Sequence, residues 1–168
     1  SKVIDTFRAL DLGTVGVTGN LNVTSGDVIT DSGVITVTGT ADFTTDVDDK
    51  SITLDSSNAI TGAVTFTTQT TGGTNGADIT LNNGSTTIDL SAFTTEGNLT
   101  LQTNAAIAVA GHTVNGDLSV TSSGAITQSA ALTVTGTSSF TTDTANQSIT
   151  LSTTTNSFAG AVSASTSG

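Results

Sequence analysis

The stretch Val37-Thr38-Gly39-Thr40-Ala41-Asp42-Phe43-Thr44-Thr45 decides how the chain is read. A glycine follows a Val-Thr lead-in, and apolar residues stand two and four places after it with polar ones between. That alternation is the period of a pleated strand with one face buried. The frame returns at Val17–Thr24, Ile60–Thr68, Gly97–Leu101, Gly116–Thr121, Val134–Thr142 and Gly160–Val162. A degraded copy, with one residue inserted, sits at Gly76–Leu81. Self-similarity at a period of about 20 residues marks a stacked repeat architecture. The organising glycines fall at 19, 39, 62, 76, 97, 116, 136 and 160, so the interval from 62 to 76 is the odd one.

A longer repeat overlies the short one. Gly19–Asn58 aligns without gaps with Gly116–Thr155, an offset of 97, and 21 of the 40 positions are identical. One inserted residue near Asn156 then brings Ile60-Thr61-Gly62-Ala63-Val64 over Phe158-Ala159-Gly160-Ala161-Val162. The chain therefore reads as a worn first coil or cap (1–9), a first 97-residue unit (10–106) and a second, incomplete unit (107–168). Further strands are expected at Ile35–Val37, Ile52–Leu54, Ile88–Leu90, Ile107–Val109, Leu132–Val134 and Ile149–Leu151, each with two residues in and one out. Clusters of Gly, Asn, Asp and Ser separate them and supply turns. No helical periodicity is present.

Strands of three to five residues are too short to stand as hairpins. Stacked as a parallel β-helix of about eight coils with ~20 residues each, they pair with the coil above and below. The inward residues then form columns. One is expected to run Val23, Phe43, Phe66, Leu81, Leu101, Val120, Phe140, Ala164, and its partner Leu21, Ala41, Val64, Ile79, Leu99, Leu118, Ser138, Val162. The absence of Pro fits, because a ladder strand needs its N–H. The competing architecture is a pair of tandem immunoglobulin-like β-sandwiches, whose natural size is ~100 residues.

Composition bounds the function. Without Cys there are no disulfides, thiolate metal sites or cysteine nucleophiles. Only Lys2, Arg8 and Lys50 are basic against 14 acids, and a formal charge of -11 repels phosphate backbones and anionic lipid. No apolar run approaches the ~20 residues of a membrane helix. The N-terminus lacks signal-peptide anatomy. With no initiating Met and an end in mid-repeat, the chain reads as a processed product or an excised segment.

The combination Gly124–Thr137 (GAITQSAALTVTGT), Gln147–Leu151 (QSITL) and Phe158–Ser163 (FAGAVS) resembles the repeats of filamentous-haemagglutinin-like, two-partner-secreted giant bacterial surface proteins. The resemblance covers residues 10–168. It implies a right-handed parallel β-helix, export across an outer membrane, and a role as adhesin shaft or surface fibre. That family's N-terminal secretion domain has no counterpart in this sequence.

Few residues invite chemistry. His112, the single histidine, is expected to face solvent in a turn, and one His without Cys does not build a zinc site. No Gly-x-Ser-x-Gly elbow organises a Ser-His-Asp triad around it. Gly72–Ile79 is similar to a calcium-binding nonapeptide of bacterial toxins with one residue too many. Asp42, Asp46, Asp48 and Asp49 are the densest acidic cluster and offer oxygen ligands to Ca²⁺. Their partners in the second unit are Ser139, Asp143, Ala145 and Asn146, so calcium is not built into the repeat, and a solvated loop is the plainer reading. Thr-x-Thr pairs such as Thr65/Thr67 raise the prospect of an ice-binding array. The coils at 19, 97 and 116 argue against it, since each reads as one outward residue between two inward ones. The expected function is a structural or adhesive segment of an extracellular bacterial surface protein: a rigid, acidic shaft without catalysis or cofactor. Its expected partners are flanking repeats, other copies end to end, or surface glycans, with neither nucleic acid nor membrane insertion. A carbohydrate- or calcium-binding solenoid module is the alternative, ahead of a polysaccharide-active β-helix enzyme or an ice-binding solenoid.

Overall fold

The computed structural model of the protein describes residues 1–69 and 77–168. Among these there is no helix, and every strand pairing is parallel. The chain winds as a β-solenoid of about eight coils with three faces. The first face carries Lys2–Thr6, Leu21–Ser25, Ala41–Asp48 and Val64–Gln69, and continues through the bridge Val64↔Leu90 to Thr94–Thr95, Thr113–Val114, Thr133–Val134 and Ser157–Phe158. The second is one eight-stranded sheet: Leu10–Asp11, Ile29–Thr30, Ile52–Leu54, Ile79–Asn82, Leu99–Thr103, Leu118–Ser122, Ser138–Thr142 and Val162–Thr166. The third holds Val15–Val17, Ile35–Val37 and Ala59–Ile60, then Ile107–Val109 and Ile126–Gln128 with a bridge to Ile149. One sheet running unbroken past residue 106, with parallel ladders throughout, replaces the pair of sandwiches.

The reason lies in strand length. A very short strand has no partner within its own coil, so its amides bond to the next coil: Leu21 N to Thr40 O, Leu99 N to Asp117 O and Leu118 N to Thr137 O, each at 2.9 Å. Side chains then alternate as the sequence pattern demands. Leu118, Val120 and Ser122 are buried and Ser119 and Thr121 face out. The inward residues form one continuous apolar core from Leu12 to Phe140. Phe43 and Phe140, equivalent positions of the two units, are both fully buried.

The organising glycines mark two corners where coils touch backbone to backbone: Gly39 and Gly62 between the third and first faces, Gly116, Gly136 and Gly160 between the first and second. A Cβ built on Gly136 would lie 2.5 Å from the Gly116 carbonyl oxygen, and one on Gly116 2.7 Å from that of Gly97. The residue after the glycine seals the corner with its side chain. Asn98 Oδ1 accepts the Asp117 N–H at 2.8 Å, and Asp117 Oδ1 accepts that of Thr137 at 2.7 Å. Asn20 does the same for Thr40 at 3.1 Å.

The expected columns are divided by the strand pairing. The strand Ile79–Asn82 stacks on Ile52–Leu54, not on Val64–Gln69, so Leu81 lies over Leu54 rather than over Phe66. Each expected column therefore divides: Val23, Phe43 and Phe66 belong to the first face, and Leu81, Leu101, Val120, Phe140 and Ala164 to the second. The short interval at Gly76 dissolves with it, because Ile52 and its register partner Ile79 bound the longest coil of that sheet. Elsewhere the register partners stand closer in sequence, as Leu10 and Ile29 or Leu99 and Leu118 do. The second consequence concerns the 97-residue unit. Leu21 lies on the first face, but its equivalent Leu118 lies on the second. Ile29 moves likewise from the second face to Ile126 on the third, and Ile35 from the third to Leu132 beside the first. One unit thus spans four coils plus one further face, and its copies are turned by a face relative to each other. Local geometry survives the turn: Asp49 and Asn146, equivalent positions, are the two non-glycine residues with positive φ among the described residues, at 60° and 63°. Asx side chains tolerate that region best.

The corner yields a direct expectation. Gly136→Ala should cost about 1–3 kcal/mol by overpacking against backbone that cannot swing away. Gly16→Ala, at a strand position with open space around it, should stay within about 0.5 kcal/mol. Chemical denaturation of the two variants checks the difference.

Candidate functional site

Polar side chains inside the bore are the first place to look for chemistry. Asp31 is buried at the second-to-third-face corner and takes donors from Asn58 Nδ2 at 2.7 Å, Asp55 N at 2.9 Å and Ser56 N at 3.3 Å. Burial pushes its carboxyl above the usual range, against these donors. Asn58 Oδ1 in turn accepts the Ile35 N–H at 2.7 Å, standing in for a ladder carbonyl. Asn83 repeats the device one coil on: its side chain accepts from Ile60 N and donates to Ile60 O, both at 2.9 Å. In the second unit Gln128 and Asn156 bond to each other, and Asn156 Oδ1 accepts the Leu132 N–H at 2.9 Å. These positions match Asp31, Asn58 and Ile35 once the single inserted residue is counted. Sequence reading misses this network, although the inserted residue before Asn156 is its signal. Each member is satisfied by its neighbours, which makes it a structural clamp.

His112 is corrected from a solvent-facing turn to the interior, where it is 1% exposed. It continues a column of rings on the first face. Phe43 and Phe66 stack at 5.7 Å, Phe66 meets Phe93 at 6.1 Å, and Phe93 meets His112 at 4.7 Å. The backbone places it there, because Phe93 O accepts Thr113 N and His112 O accepts Thr133 N, both at 3.0 Å. Neither ring nitrogen finds a hydrogen-bond partner among the described residues. Burial alone pushes the imidazole down to about 4. The missed signal is His112-Thr113-Val114, one coil ahead of Leu132-Thr133-Val134 and in the same in–out–in frame.

The acidic cluster does not converge. Asp42 stands on the outward side of the strand Ala41–Asp48, Asp46 and Asp48 lie on the exposed last three residues of the same strand, and Asp49 follows it in the turn. Among the described residues no three His, Cys, Asp or Glu come together as a metal site. Asp27 pairs with Lys50 at 3.0 Å, and that hydrogen bond holds its carboxyl below the usual range. Gly72–Gly76 of the nonapeptide-like stretch lies outside the described residues.

The outward hydroxyl count is also corrected. Leu21–Ser25, Leu99–Thr103 and Leu118–Ser122 each turn three residues in and two out, not one. A single column Thr30, Thr53, Thr80, Thr100, Ser119, Ser139, Ser163 runs along seven of the eight strands of the second face, with Asp11 at its N-terminal end. Beside it stand Asn82, Gln102, Thr121, Thr141 and Ser165, so hydroxyl doublets occupy only the last three coils of this sheet. Long amide side chains interrupt the array toward the N-terminal coils.

This geometry defines a parallel β-solenoid repeat protein whose surface is built from repeated polar strand positions. The chain belongs to DUF5649, a family described as repeats of unknown function, which matches residues 2–67 and 96–165. Those stretches contain most of the two copies related by the offset of 97. No curated protein and no solved structure matches the chain.

Binding of an ion to the folded state raises apparent stability by mass action. With its carboxylates dispersed, the protein should melt at the same temperature, within about 1 °C, in millimolar Ca²⁺ and in EDTA. Scanning calorimetry under both conditions checks this, and a clear rise with Ca²⁺ that is lost in Asp46→Asn/Asp48→Asn would place a site at Asp42–Asp49.

Proposed function

We propose that this chain is a rigid spacer segment of an extracellular bacterial surface protein or fibre, giving length and adhesive reach rather than catalysis. The observation that supports this reading is the coil-on-coil ladder: each coil's amides are satisfied by its neighbours, so a shaft lengthens by adding units without redesign. Eight coils at ~4.8 Å make a rod on the order of 40 Å. The acidic, Lys- and Arg-poor composition suits an exposed position, since Lys2, Arg8 and Lys50 are the only trypsin-type sites in 168 residues. The sequence resemblance to two-partner-secreted surface proteins points the same way. Its proposed partners are further repeats or other copies along the shaft, with surface glycans as targets for the adhesive role.

The experiment is localisation joined to shape. Antibody raised against this chain should label intact source cells, trypsin should leave a core beyond Lys50 uncut, and electron microscopy should show a narrow rod. Labelling only after lysis would overturn the surface reading. Saturable binding on a glycan array, mapped to a few coils, would favour a carbohydrate-binding module instead.

A further inference from the structure

We infer that the coil carrying His112 is an acid-sensitive joint in the shaft: protonation of its imidazole opens the stack between Phe93 and Leu132 while the other coils hold. The geometry carries the inference. His112 is sealed in the bore, its ring lies 4.7 Å from Phe93, and neither nitrogen has a partner to share a second proton with among the described residues. A cation there has no counter-charge. The strands around it, Thr94–Thr95, Thr113–Val114 and Thr133–Val134, carry no ionisable side chain. Inward residues across the bore are the apolar Leu99, Leu101, Leu118, Val120, Ile107 and Ile126 and the hydroxyls of Thr103 and Ser122, which bond to backbone carbonyls, so none carries a charge. Of the acids nearest in sequence, Glu96 bonds outward to Asn115 Nδ2 at 2.6 Å, and Asp89 and Asp117 sit on outward or corner positions.

The sign follows from linkage. Burial depresses the folded-state pKa to about 4 from an ordinary 6.5, so the opened coil binds more protons than the closed one below pH 6.5. Closure is unaffected above pH 6.5, weakens as pH falls toward 4, and weakens no further below that. At pH 5 the opening constant should exceed its pH 8 value by roughly 10- to 100-fold. Asp31, the buried carboxyl, has the opposite sign, because its raised pKa favours the folded state in acid. Asp11 and Asp27, held below the usual carboxylate range by their hydrogen bonds, keep their stabilising effect until the pH falls into that range, below the window in which His112 begins to act. The other copy of the unit fills the same position with Val15, so the joint belongs to one coil and not to the repeat.

Hydrogen exchange by mass spectrometry, corrected for the intrinsic pH dependence of amide exchange, tests this on the whole chain at pH 8, 5 and 4. The amides of 113–115 and 133–135 should lose protection first in acid, and His112→Val or His112→Leu should abolish the loss. Val is the residue of the other copy and Leu that of the next coil in the column, so at least one of the two should pack without strain. Uniform loss along the rod, or an unchanged acid response in whichever variant folds, would overturn the inference.

Discussion

The structure rests on one constraint: backbone amides of very short strands have no partner within their own coil. An unpaired buried amide costs on the order of 1–3 kcal/mol, more than any single surface contact returns. Each coil must therefore lie in register on the next, at the spacing of a parallel ladder. Glycine at the tight corner follows, because only a bare backbone fits where Gly136 passes over Gly116. Asn58 and Asn83 follow as well, since their amides replace ladder partners where the chain leaves strand geometry. The Asp27–Lys50 pair, half-exposed, is minor beside this.

The same constraint explains why the repeat unit and the coil need not agree. A ladder requires an inward apolar side chain and an available amide at each level, and is indifferent to which part of a duplicated unit supplies them. The long interval between the register partners Ile52 and Ile79 is what turns the second copy by one face relative to the first. Polar residues fixed in the unit are accordingly displayed on different sides: Thr24 on the first face, and its equivalent Thr121 on the second. Duplication in such a fold distributes a surface around the rod as well as along it.

In and out are legible in the sequence, because a period of two at Phe43 and Phe140 admits only one buried face. Which strands neighbour which is legible only where successive coils keep a similar length. Where Leu81 stacks on Leu54 rather than Phe66, the deciding quantity is the length of the intervening coil, and glycine spacing carries no record of it. His112 misleads because a lone imidazole beside Gly111 looks like a turn, whereas the Thr113 and Thr133 ladder bonds draw it inward. Asp31 escapes notice because its partner Asn58 lies 27 residues away, a neighbour only once the coils are stacked.

Cross-linking measures the slip by one face directly in a chain without native cysteine. In-register neighbours on a parallel ladder lie ~4.8 Å apart, within the Cα separation that a disulfide spans. Thr80→Cys should oxidise rapidly to a disulfide with Thr53→Cys, its register partner on the second face. It should not do so with Thr65→Cys, which stands outward on the first face. A disulfide between positions 65 and 80, and none between 53 and 80, would mean that the repeat keeps its face and that the stacking described above is wrong.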